Sequence, residues 1–256
     1  MDEGEGPVVV LVHGLPGSAR DFRYLSPHLS GCRRLRVDLP GFGGTSRQGR
    51  RVWTIEDRAA LMLAWLDELD VDRFVAVGHS MGGPIALALA ALAPKRVVGV
   101  GLLASPGLRP HQAFIRGRVV RLSRLMRLPG AARIFAAPLR RGFTAAGFSR
   151  QTPMADLAVA AADAGALDFV RHAARIRSVT APTLVAWAED DRLVEPAIGA
   201  ELSAVAAAGP RLHWPTGGHN VQKTHAAALG AALSAFSAAC FALASADDTG
   251  RADLSG

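Results

Sequence analysis

The sequence predicts an α/β protein built on a doubly wound, mostly parallel sheet of about six strands, interrupted by a helical cap. Three observations carry this. Between residues 8 and 103, short apolar runs rich in β-branched residues alternate with helical segments, the rhythm of right-handed βαβ units. The rhythm stops over 105–179, where Arg- and Ala-rich helical segments follow one another without a convincing strand. It resumes over 182–214. The expected division is a core of residues 1–104 and 180–256 with a helical cap at 105–179. A chain of 256 residues, half of them hydrophobic, can bury such a core.

The elements follow in order. After the polar start MDEGEGP comes Val8–Val12, a continuous apolar strand of the kind buried on both faces of a parallel sheet. It ends at His13-Gly14-Leu15-Pro16-Gly17. Ser18 with Asp21 forms a capping-box pattern and predicts a helix through about Leu29. Arg36-Val37-Asp38 closes a second strand and enters the glycine-rich loop 39–46. Without a Walker lysine that loop reads as a tight turn rather than a phosphate cradle. Thr54 and Asp57 repeat the capping pattern before a helix over Ile55–Leu69. A strand over Phe74–Val77 runs into Gly78-His79-Ser80-Met81-Gly82. Pro84 and an Ala/Leu-rich segment follow, stopping at Pro94; proline is tolerated in a helix's first turn because its missing N–H has no partner there. Val97–Leu103 is the next strand.

Beyond the insertion, 182–187 predicts a strand ending at Ala188-Glu189-Asp190-Asp191. A helix over 196–208, a short strand Arg211–Trp214, the loop Gly217-Gly218-His219-Asn220 and a last helix to about Ala244 complete the pattern. The polar tail Asp247–Gly256 is expected to fray. Because the sheet starts at Val8, the strand ending at Asp38 is expected to form its outer edge, with all six strands parallel. Arg33, Arg34 and Arg36 would blunt that edge against pairing with another chain, which favours a monomer.

Composition narrows the function. The net charge is +7, and 27 of the 29 Lys and Arg residues are Arg. No helix-turn-helix, zinc or RNA-binding signature accompanies that charge, and a single tyrosine leaves little for base stacking, so nucleic acid is not the expected partner. No run of 18 uninterrupted apolar residues occurs and the start is acidic, so neither a membrane span nor a secretory signal is expected. Cys32 and Cys240 lie far apart in no metal or redox spacing. Free thiols and a cytoplasmic location are the simple reading.

The chemistry centres on Ser80. Strand, abrupt turn with a central serine, then helix is the context a G-x-S-x-G nucleophile turn requires. The helix N-terminus and the N–H of Met81 would then sit where an oxyanion forms. A serine nucleophile needs a base and the base an orienting acid, on loops at the C-terminal ends of later strands. Asp191 and His219 occupy such loops, in the chain order Ser, acid, His. Asp190 competes with Asp191 for the acid's role. His213 falls in a strand, His225 in a helix and His172 in the insertion. The strand ending Leu103-Ala104-Ser105 carries no carboxylate.

Five segments, HGLPGS (13–18), DLPGFGGTS (38–46), GHSMGG (78–83), LVAWAEDDRLVEP (184–196) and GGHN (217–220), resemble the α/β-hydrolase superfamily in order and spacing. The resemblance implies Ser80 as nucleophile, Asp191 as acid and His219 as base. It implies an oxyanion hole from the backbone N–H groups of Leu15 and Met81, shaped by His13 and Gly14 and supported by Gly78, His79 and Gly82. The insertion matches the lid of many members, and no metal or organic cofactor is implied. The chain departs from the family pattern in three ways. Ala188 replaces the usual glycine before the acid, the two strands that usually come first are missing, and Ser80 stands where dehalogenases and epoxide hydrolases carry an aspartate.

The cap reads as basic. Arg118, Arg121, Arg124 and Arg127 recur every three residues among apolar neighbours. This is either a solvated face or a surface for an anionic membrane or an acidic carrier, while the apolar side is expected to roof a pocket above Ser80. The leading expectation is hydrolysis of a carboxylic ester, lactone or thioester of a hydrophobic small molecule through an acyl-enzyme. The alternatives are a carbon–carbon bond hydrolase or cofactor-free perhydrolase or haloperoxidase on the same triad, or a non-catalytic binding protein.

Overall fold

The computed structural model describes residues 1–49 and 52–252. Its sheet has seven strands: β1 (Asp2–Glu3), β2 (Val8–Val12), β3 (Arg33–Val37), β4 (Phe74–His79), β5 (Val97–Leu103), β6 (Thr183–Ala188) and β7 (Arg211–Trp214). Their spatial order is β1-β3-β2-β4-β5-β6-β7. All neighbours are parallel except β1 and β3. The continuous apolar runs reflect burial on both faces. Val10, Val12 and Ala76 point into one core with α1 (Ile55–Glu68) and α2 (Gly82–Leu92). Val9, Leu11, Val75 and Val77 point into the other, against the last helix of the chain and the segment after β2.

Two expectations on this side of the fold are corrected. The edge strand is β1, not the arginine-rich β3. Asp2 and Glu3 pair antiparallel with Leu35 and Arg34, and the arginines meant to guard an open edge instead hold the strand that covers it. Arg33 binds Asp2 at 2.7 Å and Arg36 binds Glu3 at 2.5 Å. A strand of two residues is too short to show any periodicity. The capping box at Ser18 and Asp21 forms, but the helix through Leu29 does not. Two 3-10 turns, Ala19–Phe22 and Ser26–His28, take its place. Pro27 lacks the N–H an α-helix needs and disfavours helical backbone at Ser26. The second capping box, Thr54 with Asp57, opens α1.

The insertion between β5 and β6 is helical: α3 (Gln112–Arg116), α4 (Val119–Met126), α5 (Ala131–Ile134), α6 (Ala136–Ala145), α7 (Met154–Ala164) and α8 (Phe169–Ser178). It has a small core of its own, with Met126, Leu139, Leu157 and Ala161 in contact. Ion pairs fasten it to α1 and the loop before it. Fully buried Asp163 on α7 accepts from Arg58 at 2.6 Å and Arg47 at 2.9 Å, and Arg175 on α8 reaches Glu56 at 2.6 Å. The remaining helices are α9 (Pro196–Val205), α10 (Val221–Thr224) and α11 (Ala226–Ala252).

By length and composition, Ala226–Ala246 is long and apolar enough to cross a membrane. The sequence reading, which sought an unbroken apolar run, passed over it because glycine and serine interrupt the alanines. Here one stripe of this helix, Leu229, Leu233, Phe236 and Cys240, is buried against the sheet. The tail expected to fray is helical as far as Ala252, and 253–256 lie outside the described residues.

Candidate active site

Ser80 sits between β4 and α2 with φ +51°, a left-handed conformation that costs a non-glycine residue about 1–3 kcal/mol unless the surroundings fix it. They do. Its N–H donates to Leu103 O at 2.8 Å, and Gly83 N–H donates to Ser80 O at 2.9 Å. The glycines around it are required by close approach. A Cβ on Gly78 would lie 2.2 Å from the Gly82 carbonyl, and one on Gly82 would lie 2.1 Å from Val12 O. Strand and helix thus meet backbone to backbone, and the serine is the residue left at the bend.

His219 follows β7 on the loop before α10, and its Nδ1 lies 2.8 Å from Asp191 Oδ2. The Asp191 carboxylate is buried, and its other oxygen accepts the N–H groups of Leu193 (2.8 Å) and Val194 (3.1 Å). A carboxylate so held directs the Nδ1 proton toward itself, leaving Nε2 as the basic nitrogen. That Nε2 is buried and makes no hydrogen bond among the described residues. Asp190 turns the other way. Its Oδ1 accepts Gly218 N–H at 2.6 Å, and this bond lowers its pKa from the ordinary carboxylate value. The two neighbouring carboxylates therefore have different partners, the imidazole for Asp191 and the loop backbone for Asp190, with Ala188 preceding both.

Two further histidines brace the site and are kept neutral by burial. His13 Nε2 accepts Leu39 N–H at 2.9 Å, so its proton is on Nδ1, which donates to Gly14 O at 2.7 Å. His79 Nε2 donates to the backbone oxygen of His219 at 2.8 Å, tying the residue beside Ser80 to the loop of the imidazole. Loss of hydration pushes both below the usual histidine pKa, His79 far below. A Cβ on Gly14 would lie 2.9 Å from Ser80 Cβ, so the loop after β2 passes directly over the serine. Met81 is the N-cap of α2. The amides of Leu15 and Met81 donate no hydrogen bond among the described residues. Asp38 supports this loop from below, accepting Ala19 N–H (2.7 Å) and Gly44 N–H (2.9 Å). The glycine-rich stretch is a braced turn.

The competing histidines lie elsewhere. His213 is exposed on β7, His225 stacks on Trp214, and His172 is buried in the cap with Nε2 3.2 Å from Pro106 O.

Ser80, His79, His219, Gly14 and Leu15 border one cavity of about 1060 Å³. From the cap, residues 145–149, Thr152, Pro153 and Asp156 line it. The arginine-bearing helices α3 to α5 do not; the apolar wall expected of the cap comes from Ala145, Ala146, Phe148 and Pro153. The walls combine Leu15, Phe148 and Leu193 with Asp38, Asp156, Arg192 and Lys223. Sequence reasoning named none of Asp156, Arg192 and Lys223 as neighbours of the site. It also missed His111, which is buried, has no partner on Nδ1 and sits in the field of His219 and Asp191. A lone histidine after a proline gives no signal in one sequence. Among the described residues no group of three or more His, Cys, Asp or Glu side chains could hold a metal ion.

Comparison with known proteins places this geometry in context. A family model described as the alpha/beta hydrolase fold matches residues 7–226. The chain is 33% identical over 248 residues to the dihydrolipoyllysine-residue acetyltransferase component of the acetoin cleaving system of Pseudomonas putida, covering 91% of this chain but only 64% of that protein. It is 30% identical to the uncharacterized hydrolase YugF of Bacillus subtilis, covering 77% of each. Among solved structures, a putative ancestral haloalkane dehalogenase superposes with a TM-score of 0.75 at 21% identity, covering 94% of this chain and 95% of that one. A thermophilic esterase from Thermogutta terrifontis does so with a TM-score of 0.70 at 23% identity, covering 91% and 90%.

Proposed function

The chain belongs to the α/β-hydrolase family, and on that premise we propose that it is a serine hydrolase cleaving carboxylic esters, lactones or thioesters of a small molecule through an acyl-enzyme. The observation that carries this reading is the 2.8 Å bond between Asp191 and His219, which leaves Nε2 without a partner in the cavity that Ser80 also borders. In the proposed reaction Ser80 Oγ attacks the carbonyl carbon and its proton passes to His219 Nε2. The charged imidazole is stabilised by Asp191, and the oxyanion by the N–H groups of Leu15 and Met81. The leaving alcohol or thiol takes the proton from Nε2. Water, deprotonated by the same nitrogen, then releases the acid and restores Ser80. Apolar parts of the substrate have Leu15, Phe148 and Leu193 to lie against.

The likeness to dehalogenases bears on the fold alone. Displacing halide or opening an epoxide by the route of those relatives uses a carboxylate nucleophile, as the family resemblance implies, and residue 80 here is serine.

A fluorophosphonate probe tests the reading. Wild type should label at Ser80, and Ser80→Ala should lose both labelling and ester hydrolysis, the latter by roughly 10⁶-fold. Wild type that does not label, or a variant that turns over esters at a comparable rate, would sink it.

A further inference from the structure

The arginine-rich end of the cap takes no part in the site described above. Between Asp72 and Asp156 the sequence has no acidic residue, and over 105–155 it has ten arginines. Some of these are used internally. Arg109 pairs with Glu195 and Glu201, Arg127 with Ser123 and Ala162 O, and Arg140 with backbone oxygens of the turn before α7. Seven others, Arg116, Arg118, Arg121, Arg124, Arg133, Arg141 and Arg150, are exposed and have no side-chain partner among the described residues. No carboxylate from the core reaches them, so their field is uncompensated.

Exposed apolar side chains occur along the same stretch of chain. Five of the eleven large hydrophobic residues exposed among the described residues fall within the 21 residues 115–135. They are Ile115, Val120, Leu128, Ile134 and Phe135. Leu128, 58% exposed, precedes the Pro129-Gly130 turn, and Ile134, 75% exposed, ends α5. Ile115, Val120, Arg118 and Arg121 line one shallow groove with Phe114, apart from the Ser80 cavity. Folding does not explain such a surface. The residues that α4 needs for packing, Ser123 and Met126, are already buried on its other side, and water opposes exposed aliphatic tips.

We propose that this face of the cap, α3 to α5, docks on an anionic lipid bilayer, with Arg116, Arg118, Arg121, Arg124 and Arg133 on the headgroups and Leu128 and Ile134 entering the acyl boundary. Charge complementarity selects an anionic partner. The interleaved aliphatic tips select a bilayer over an acidic protein, because an arginine beside an apolar tip sends its alkyl stem along the acyl chains and its guanidinium to the phosphates. The proposal is independent of the catalytic reading and concerns different residues.

The test is co-sedimentation of the full chain with phosphatidylcholine vesicles, with and without phosphatidylglycerol, at low and high salt. The expected result is binding only to the phosphatidylglycerol vesicles, weakened by salt. A basic residue near a charged surface contributes about fivefold to partitioning, so Arg118→Ala/Arg121→Ala/Arg124→Ala should weaken binding on the order of a hundredfold. Leu128→Ser/Ile134→Ser should weaken it further and remove the part that survives high salt. Circular dichroism shows whether each variant folds, and Ser80→Ala, which leaves this face untouched, should bind like wild type. No binding to the anionic vesicles overturns the proposal, as does binding unchanged in the arginine variant. If the serine variant keeps full vesicle binding while soluble polyglutamate competes it away, the face reads charge alone and the bilayer proposal falls to an acidic partner.

Discussion

The sheet around Ser80 and the cap above it differ in what is added to a shared apolar core. At β4 and α2 nearly everything is apolar and buried, and the geometry is fixed by contacts so close that Gly78 and Gly82 admit no side chain. Packing density holds the serine in its strained conformation. The cap is a set of helices mostly of ten residues or fewer, with a small core of its own; Ala160, Leu167 and Ile176 join it to the main core, and Asp163, Arg58, Arg47, Glu56 and Arg175 add ion pairs to α1 and the loop before it. A site whose atoms must be placed to tenths of an ångström rests on sterics. The cover over it adds to its apolar seam a few directional charges, each of which can be removed singly.

The largest effect is expected where the rigid part holds the imidazole. Asp191→Asn should disturb the tautomer of His219 and lower the rate of ester hydrolysis by roughly 10⁴. Asp190→Asn, which only weakens an exposed bond to Gly218 N–H, should cost about tenfold or less. Steady-state kinetics of the two variants decides it. The reverse ranking would mean that the loop after Ala188 rearranges in solution.

In the cap, Asp163→Asn leaves Arg58 buried with an uncompensated charge, which should cost about 3–5 kcal/mol of stability. Urea unfolding followed by circular dichroism measures the loss. Replacing both partners with apolar residues of similar volume, Arg58→Met with Asp163→Leu, should recover most of it. A double variant as unstable as the single one would show that the pair does more than neutralise itself.

Acid should destabilise the fold through its buried histidines, those of the cap as well as His13 and His79 beside Ser80. Burial pushes His111 and His172, at the two ends of the insertion, down to about 4, whereas an unfolded chain's histidines titrate near about 6.5. Between those values the unfolded state binds more protons, so stability falls as pH drops through that window and is unaffected above it. The slope approaches about 1.4 kcal/mol per pH unit for each histidine. Thermal unfolding midpoints at several pH values should show it, and His172→Gln should flatten the curve. An unchanged slope in that variant would remove His172 from the account.

The smallest effects belong to the outer edge. Asp2→Asn and Glu3→Gln each break one part-exposed ion pair, worth about 0.2–1 kcal/mol. Glu3→Gln should be the larger, because Arg36 is buried and Arg33 is not. Urea titrations resolve the difference, and equal losses would contradict the role given to Arg36.

Much of this was readable in the sequence because it depends on neighbours in the chain. Both capping boxes, the strand–serine–helix turn and the two-face burial of Val8–Val12 follow from spacing of three residues or less, and the structure contains all of them. The strands that carry Ser80, Asp191 and His219 to one end of the sheet follow from the βαβ rhythm, since parallel strands put their C-terminal loops together. Tertiary structure alone decided the rest. It paired Asp2 and Glu3 with β3, gave Asp191 rather than Asp190 to the imidazole, and sank Asp163 of an alanine-rich helix against Arg58. It also brought 145–156, not the arginine helices, to the cavity. Each of these joins groups dozens of residues apart, or chooses between adjacent residues of the same type. Local pattern is silent there: such contacts are fixed by which surfaces meet, and by the cost of leaving a charge or a backbone edge unpaired once they do.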